Sequence, residues 1–189
     1  MPNFRSILPA ELSGNAIQRI SKQWALASAQ KPDGAVNTMT ISWGGLGYLW
    51  NQPVAFLFVR PQRYTYEFVE SADGFSLCFF PEKYRKELQY CGTISGRDED
   101  KIAHCGFTVA HQDGVPYFEE AEAVLICKKI YAQDLTGDCA LSELVTNQYP
   151  TGGLSPDVCG RHPDRSGAGR CVNPTGSVCW MSSGDWQCC

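Results

Sequence analysis

The sequence predicts a mainly β fold of the α+β class, an antiparallel barrel with helices attached. Three observations predict it. Short apolar runs recur along the chain, bounded by Gly, Pro, Asn or Ser. Helical patterns fall between only some of these runs. No regular strand–helix–strand rhythm of the parallel-sheet kind is present. The 189 residues suffice for one ordinary domain and its core, and they carry no internal repeat.

The elements follow in order. Asn15–Lys22 reads as a helix and Trp24–Ala29 as a strand. Lys31-Pro32-Asp33-Gly34 is a turn, because Pro presets one dihedral and Gly tolerates positive φ. Val36–Ser42 alternates with a period of two, so it pairs with the preceding strand as a hairpin and stops at Trp43-Gly44-Gly45. Asn51-Gln52-Pro53 is a break, and Val54–Arg60 is a strongly apolar strand. Tyr64–Ser71 reads as a short helix and Phe75–Phe80 as a strand. Pro81–Tyr90 is a helix with Pro at its start. Asp98–Cys105 is a helix closed by Gly106, and Val124–Asp134 is a long strand.

Charge and composition exclude some functions. The formal net charge is −4, which does not suit a general nucleic-acid binder. No apolar run approaches the roughly 20 residues of a membrane-spanning helix. The start, MPNFRSILPAELSGN, lacks the charged, apolar and small-residue regions of a secretory signal. The expectation is a cytoplasmic protein without nucleic-acid or membrane partners. Of ten cysteines, Cys78, Cys91, Cys105, Cys127 and Cys139 lie scattered through the body, where buried thiols act as small hydrophobes.

Three stretches carry binding chemistry. In VNTMTISWGG (36–45), Thr38, Thr40 and Ser42 share one strand face, and Trp43 adds a flat indole. Hydroxyls and the Asn37 amide can bond a polar ligand, while Gly44 and Gly45 permit close backbone approach. The same residues also suit a plain edge strand. In VRPQRYTYEF (59–68), Arg60 and Arg63 precede a helix start at Thr65, a combination that suits an anion, or else two solvated loop arginines. In ISGRDEDK (94–101), Ser95-Gly96 is a turn before an acidic first helical turn, from which Lys101 can reach an anion. An ordinary capped surface helix fits that segment as well. No catalytic apparatus stands out. His104, His111 and His162 lack metal-ligand spacing, and no nucleophile elbow, Walker loop or dinucleotide fingerprint occurs.

Taken in order and spacing, N-T-M-T-I-S-W-G-G, V-R-P-Q-R-Y-T-Y-E and S-G-R-D-E-D-K resemble the flavin reductase-like FMN-binding split-barrel family, flavoredoxin-type proteins included. The resemblance spans roughly residues 12–153. It implies an antiparallel split barrel that binds FMN as a homodimer, with flavin near the subunit interface. Asn37, Thr38, Met39 and Thr40 would contact the flavin through side chain or backbone. Ser42 and Trp43 would close that wall, Arg60 and Thr65 would hold phosphate, and Ser95, Gly96 and Lys101 would complete the pocket. The family motif does not fix Arg63. The implied activity is NAD(P)H-dependent flavin reduction, or electron transfer through FMN to an unidentified acceptor. The alternatives are a non-catalytic FMN-binding electron carrier and an inactive, C-terminally frameshifted member of the family. The flavin carries the hydride chemistry, so no catalytic side chain and no metal are expected.

The chain changes character after residue 153. Residues 155–189 hold five Cys, five Gly and five Ser but only three residues from Leu, Ile, Val and Phe. Such composition predicts disorder. The resemblance calls for a closing strand here, like H-R-M-Y-V-G-E-I, and that strand is missing. With permitted codons, reading residues 154–166 one nucleotide later yields F-H-R-M-Y-V-G-D-I-L-T-V. The expectation is therefore an FMN-binding domain over 1–153 and an atypical tail over 154–189, produced by a frameshift that leaves a barrel edge open. A native Cys-rich extension is the competing reading.

Overall fold

The computed structural model describes residues 4–149 and the backbone of 177–183 and 186–188. The short strand β1 (Arg5–Ile7) leads to α1 (Ala16–Gln18), where Asn15 accepts a hydrogen bond from the Gln18 N–H at 3.1 Å. The helix widens at once into a π turn, Arg19–Gln23, so the expected helix changes its bonding midway. It ends at Trp24 with φ +68°, an unfavourable conformation for a bulky residue. Arg85 braces that turn. Its guanidinium lies 3.3 Å from the indole centre and donates to the Lys22 and Gln23 carbonyls at 2.7 and 3.0 Å.

Strands β2 (Ala25–Gln30) and β3 (Val36–Ile41) form the expected hairpin around Gly34 at φ +90°. The Gly44-Gly45 pair does not end the sheet. It opens a further strand, β4 (Gly44–Leu49), paired with β5 (Gln52–Val59). A Cβ on Gly44, at φ +148°, would lie 2.7 Å from the Phe56 carbonyl oxygen, so glycine lets β4 close on β5. Next come α2 (Thr65–Ser71), β6 (Gly74–Phe79), α3 (Arg85–Thr93) and α4 (Lys101–Cys105). The last helix starts later than expected. Asp98–Asp100 form its entry, and Asp100 caps it by accepting from Ala103 N–H at 3.0 Å. A second unexpected hairpin, β7 (Val109–Gln112) and β8 (Val115–Phe118), turns at Asp113-Gly114, both with positive φ. The long strand β9 (Ala123–Leu135) and the short helix α5 (Glu143–Thr146) complete the continuous part.

Two further strands, β10 (Ser177–Ser183) and β11 (Trp186–Cys188), come from the tail. The main sheet runs β3-β2-β6-β9-β10-β5-β4, with β11 joining β9 to β1, and every pair is antiparallel. The expectation of a missing closing strand is thus corrected. Residues 177–183 sit between β9 and β5. The physical reason lies in the segment itself. Ser-Val-Cys-Trp-Met-Ser-Ser contains no Gly or Pro, and Cys, Trp and Met supply apolar character that a Leu/Ile/Val/Phe count overlooks. The expected domain boundary at 153/154 and the expected disorder of 154–176 lie outside the described residues.

The core lies on both faces of the sheet's centre. Phe75, Leu77 and Phe79 of β6 pack with Ala25, Ala27, Ala29, Met39, Ile41 and Leu57. Small side chains on β2 leave room for large ones on β6. Cys78 and Phe80 face the other way, into Leu26, Leu88, Phe107, Phe118 and Val124 under α3. This two-sided burial explains why β6 reads as one apolar run. Among the described residues no helix is long and apolar enough to cross a membrane.

Candidate functional site

The alternation of β3 sorts its residues onto two faces. Met39 and Ile41 enter the core beside β2, while Thr38 and Thr40 face the opposite way. The Thr38 hydroxyl donates to the Ala27 carbonyl at 3.1 Å and accepts from the Ser28 hydroxyl at 2.8 Å. The Thr40 hydroxyl donates to the Leu88 carbonyl of α3. The three hydroxyls expected to share one face therefore do not all stand free. Two of the three fasten the strand to its neighbours, because a buried hydroxyl without a partner is costly. What β3 does offer is backbone. Among the described strands it pairs only with β2, so one row of its peptide groups has no strand partner.

Asn37 joins the three sequence stretches. It is buried, and its Nδ2 donates to Thr65 Oγ1 at 3.0 Å, tying β3 to the start of α2. Its Oδ1 lies against the backbone at Gly96, where an added Cβ would be 2.3 Å from that oxygen and 3.2 Å from the Tyr64 ring. The three stretches therefore meet at one amide. Ser95 serves the turn itself, accepting from the Arg97 N–H at 3.2 Å.

Lys101 is buried, and burial lowers its pKa. Its ammonium donates to the Cys91 and Ile94 carbonyls at 3.0 and 3.1 Å, at the end of α3. Arg63 donates to the neighbouring Gly92 carbonyl at 3.1 Å. Two cations thus meet the carbonyl groups that a helix C-terminus leaves unpaired. Lys101 does not reach towards an anion from the helix surface, as expected of it, because these carbonyls already hold it.

A cleft of about 300 Å³ opens at the end of β3. Met39 and Thr40, then Ser42 and Trp43, form part of its wall. Ile41, Phe58, Arg60 and Arg63 form the rest, with Tyr149. The Arg63 N–H donates to the Arg60 carbonyl at 2.9 Å, so this turn delivers both guanidinium groups to one place. Arg60 lies 4.7 Å from the Tyr149 ring centre and 5.6 Å from that of Trp43, and it donates to the Gln148 carbonyl at 3.1 Å. Among the described residues no carboxylate lines the cleft. Of the expected residues, Met39, Thr40, Ser42, Trp43 and Arg60 line it. Asn37, Thr38, Thr65, Ser95, Gly96 and Lys101 form the framework beside it. Sequence reasoning missed Ile41, Phe58 and Tyr149. Nothing local to Tyr149 announces a site, because it comes from a segment far along the chain. Among the described residues no cluster of His, Cys, Asp and Glu is placed to hold a metal ion.

The profile of the flavin reductase like domain matches residues 17–146. The fold resembles flavoredoxin from Methanosarcina acetivorans, with TM-score 0.58 and 19% identity over 85% of this chain. The chain spans 64% of that protein's length. An FMN-binding domain of a flavin reductases-like enzyme from Shewanella baltica aligns with TM-score 0.61 and 16% identity, covering 98% of this chain and 77% of its own. Flavoredoxin of Desulfovibrio vulgaris aligns with TM-score 0.54 and 24% identity over 67% of each chain. No curated protein matches. The antiparallel split-barrel architecture expected from the three motifs is the one these structures share.

Proposed function

This chain belongs to the flavin reductase-like family, and from that premise we propose that it is an FMN-binding oxidoreductase. It reduces flavin at the expense of NAD(P)H or relays electrons to another acceptor. The observation that carries the reading is the cleft, where two guanidinium groups and a half-exposed indole gather with no carboxylate among the described residues.

These residues fit FMN. Arg60 and Arg63 present planar donor pairs matched to a phosphate dianion. The face of Trp43 suits a flat ring, and the edge of β3 that pairs with no described strand suits the polar rim of such a ring. Thr65 stands behind this wall, with its hydroxyl accepting from Asn37. Asn37, Gly96, Ser95 and Lys101 keep the wall rigid. When bound, FMN supplies a ring that exchanges hydride with a nicotinamide, and that exchange needs no side-chain base. The chain's part is to bind, orient and shield.

Titration of FMN against its own fluorescence tests this. Saturation near one FMN per chain is expected. Arg60→Ala and Arg63→Ala should each raise the dissociation constant about 10-fold, the typical loss of a charge-assisted hydrogen bond. Unchanged affinity in both variants would place the phosphate elsewhere. NADH and NADPH oxidation by the loaded protein then separates reductase from carrier, since a carrier shows no turnover with either.

The active form proposed is a cytoplasmic homodimer. The described cysteines are free thiols, which suits a reducing compartment. Ile17, Tyr48 and Trp50 leave large apolar surfaces in water near the β4–β5 hairpin, and a second copy would cover them. Light scattering should give twice the 20.9 kDa chain mass. The double variant Tyr48→Glu/Trp50→Glu should give the monomer. A monomeric wild-type chain at micromolar concentration would refute the dimer.

A further inference from the structure

The ends of α3 and α4 bring two thiols into contact. Cys91 Sγ and Cys105 Sγ lie 3.8 Å apart. Cys91 is buried at the end of α3, whereas Cys105, the last residue of α4, is half-buried. The segment between them carries Ser95, Gly96 and Lys101, and the Lys101 ammonium is hydrogen-bonded to the carbonyl of Cys91 itself. Both cysteines therefore sit at the base of the loop that abuts Asn37.

We propose that Cys91 and Cys105 form a reversible disulfide that closes residues 91–105 into a covalent ring. The oxidant is a small-molecule disulfide of the glutathione class. Cys105, the more accessible sulfur, loses its proton and attacks that disulfide. One small thiol leaves, and a mixed disulfide remains on Cys105. Cys91 then loses its proton and attacks the Cys105 sulfur, expelling the second small thiol. One S–S bond forms in the protein as one breaks in the oxidant, and two electrons and two protons depart on the two thiols. Burial pushes the Cys91 thiol up to about 12 and raises Cys105 as well. Neither is a standing thiolate, so the pair responds to lasting oxidation and does not act as a catalytic dithiol. A transient disulfide of this kind is compatible with a reducing compartment.

Proteolysis with trypsin under non-reducing conditions tests the pairing on the full chain. Oxidised glutathione should link the Glu87–Arg97 peptide to the Ile102–Lys128 peptide, and dithiothreitol should release them. Cys127 shares the second peptide, so two variants identify the partner. Cys127→Ser should keep the link, and Cys105→Ser should abolish it while the circular dichroism stays native. Oxidation should also raise the melting temperature by about 5–10 °C, as expected for a short closed loop, in the wild type and not in Cys105→Ser. Absence of the linked peptides, or a link that survives Cys105→Ser, would overturn the proposal. So would an unchanged melting temperature on oxidation.

Discussion

A chain ending at residue 149 is expected to lose cooperative thermal unfolding. Strand β10 bonds to β5 from Val178 to Ser182 and to β9 from Ser177 to Ser183. Without it the sheet falls into two pieces, β3-β2-β6-β9 and the β4–β5 hairpin. A lone hairpin is marginal in water. Yet β5 carries Val54, Ala55, Leu57 and Val59, all fully buried in the intact chain. Losing that burial and the ladders costs on the order of 5 kcal/mol, which matches the whole stability of many domains. Circular dichroism melts of the two chains make the comparison. Trp180→Pro in the full chain is the finer version, because Trp180 pairs with both Leu57 and Ala132 and proline removes a ladder donor. A truncated chain that melts sharply at the wild-type temperature would show that the tail strand is dispensable.

The second large effect is expected at the Asn37 junction. Asn37→Leu keeps a similar volume but removes the donor to Thr65, whose hydroxyl lies buried. Leaving that oxygen without its donor costs about 1–3 kcal/mol. Gly96→Ala attacks the same junction from the other side, since its Cβ would need the space held by Asn37 Oδ1. Either β3 or the 95–96 turn must then shift. Both variants should lower the urea midpoint and weaken FMN binding about 10-fold, because the cleft wall moves with the strand. Ser95→Ala should do little, because its side chain serves only its own turn. If Gly96→Ala leaves midpoint and affinity unchanged, the three stretches are not mechanically coupled.

The sequence disclosed this fold unevenly, and the particular residues show why. The apolar runs of β6 and of the first residues of β9 declared themselves, because strands buried on both faces have few polar positions. The β4 strand was concealed by its glycines. Gly44 breaks a sequence pattern but fits a close backbone approach that only the paired strand reveals. Asp113-Gly114 was a legible hairpin signal, yet its flanking strands are only four residues each. In the site, residue types pointed to the right neighbourhood, and their side chains then took other duties. Thr38 and Lys101 are polar groups placed in the interior, where satisfying backbone carbonyls takes precedence over waiting for a ligand, and Thr40, though it lines the cleft, also gives its hydroxyl to a carbonyl. Periodicity gives a residue's face. It does not say which partner already occupies that face. Tyr149 depends on a long return of the chain that no local pattern encodes.

The position of β10 also has a consequence for how the chain is made. During synthesis the hairpin β4–β5 and the strand β9 emerge long before residue 177. Until then the two halves of the sheet have no ladder between them. The nascent chain must hold an apolar strand, β5, with one edge open while more than forty further residues are added beyond β9. Such contacts between distant segments form slowly. The interval favours chaperone capture or edge pairing with another unfinished chain. Expression at lower temperature or with added chaperone is where this protein's yield should be most sensitive, because the strand that joins the two halves of the sheet is made so late.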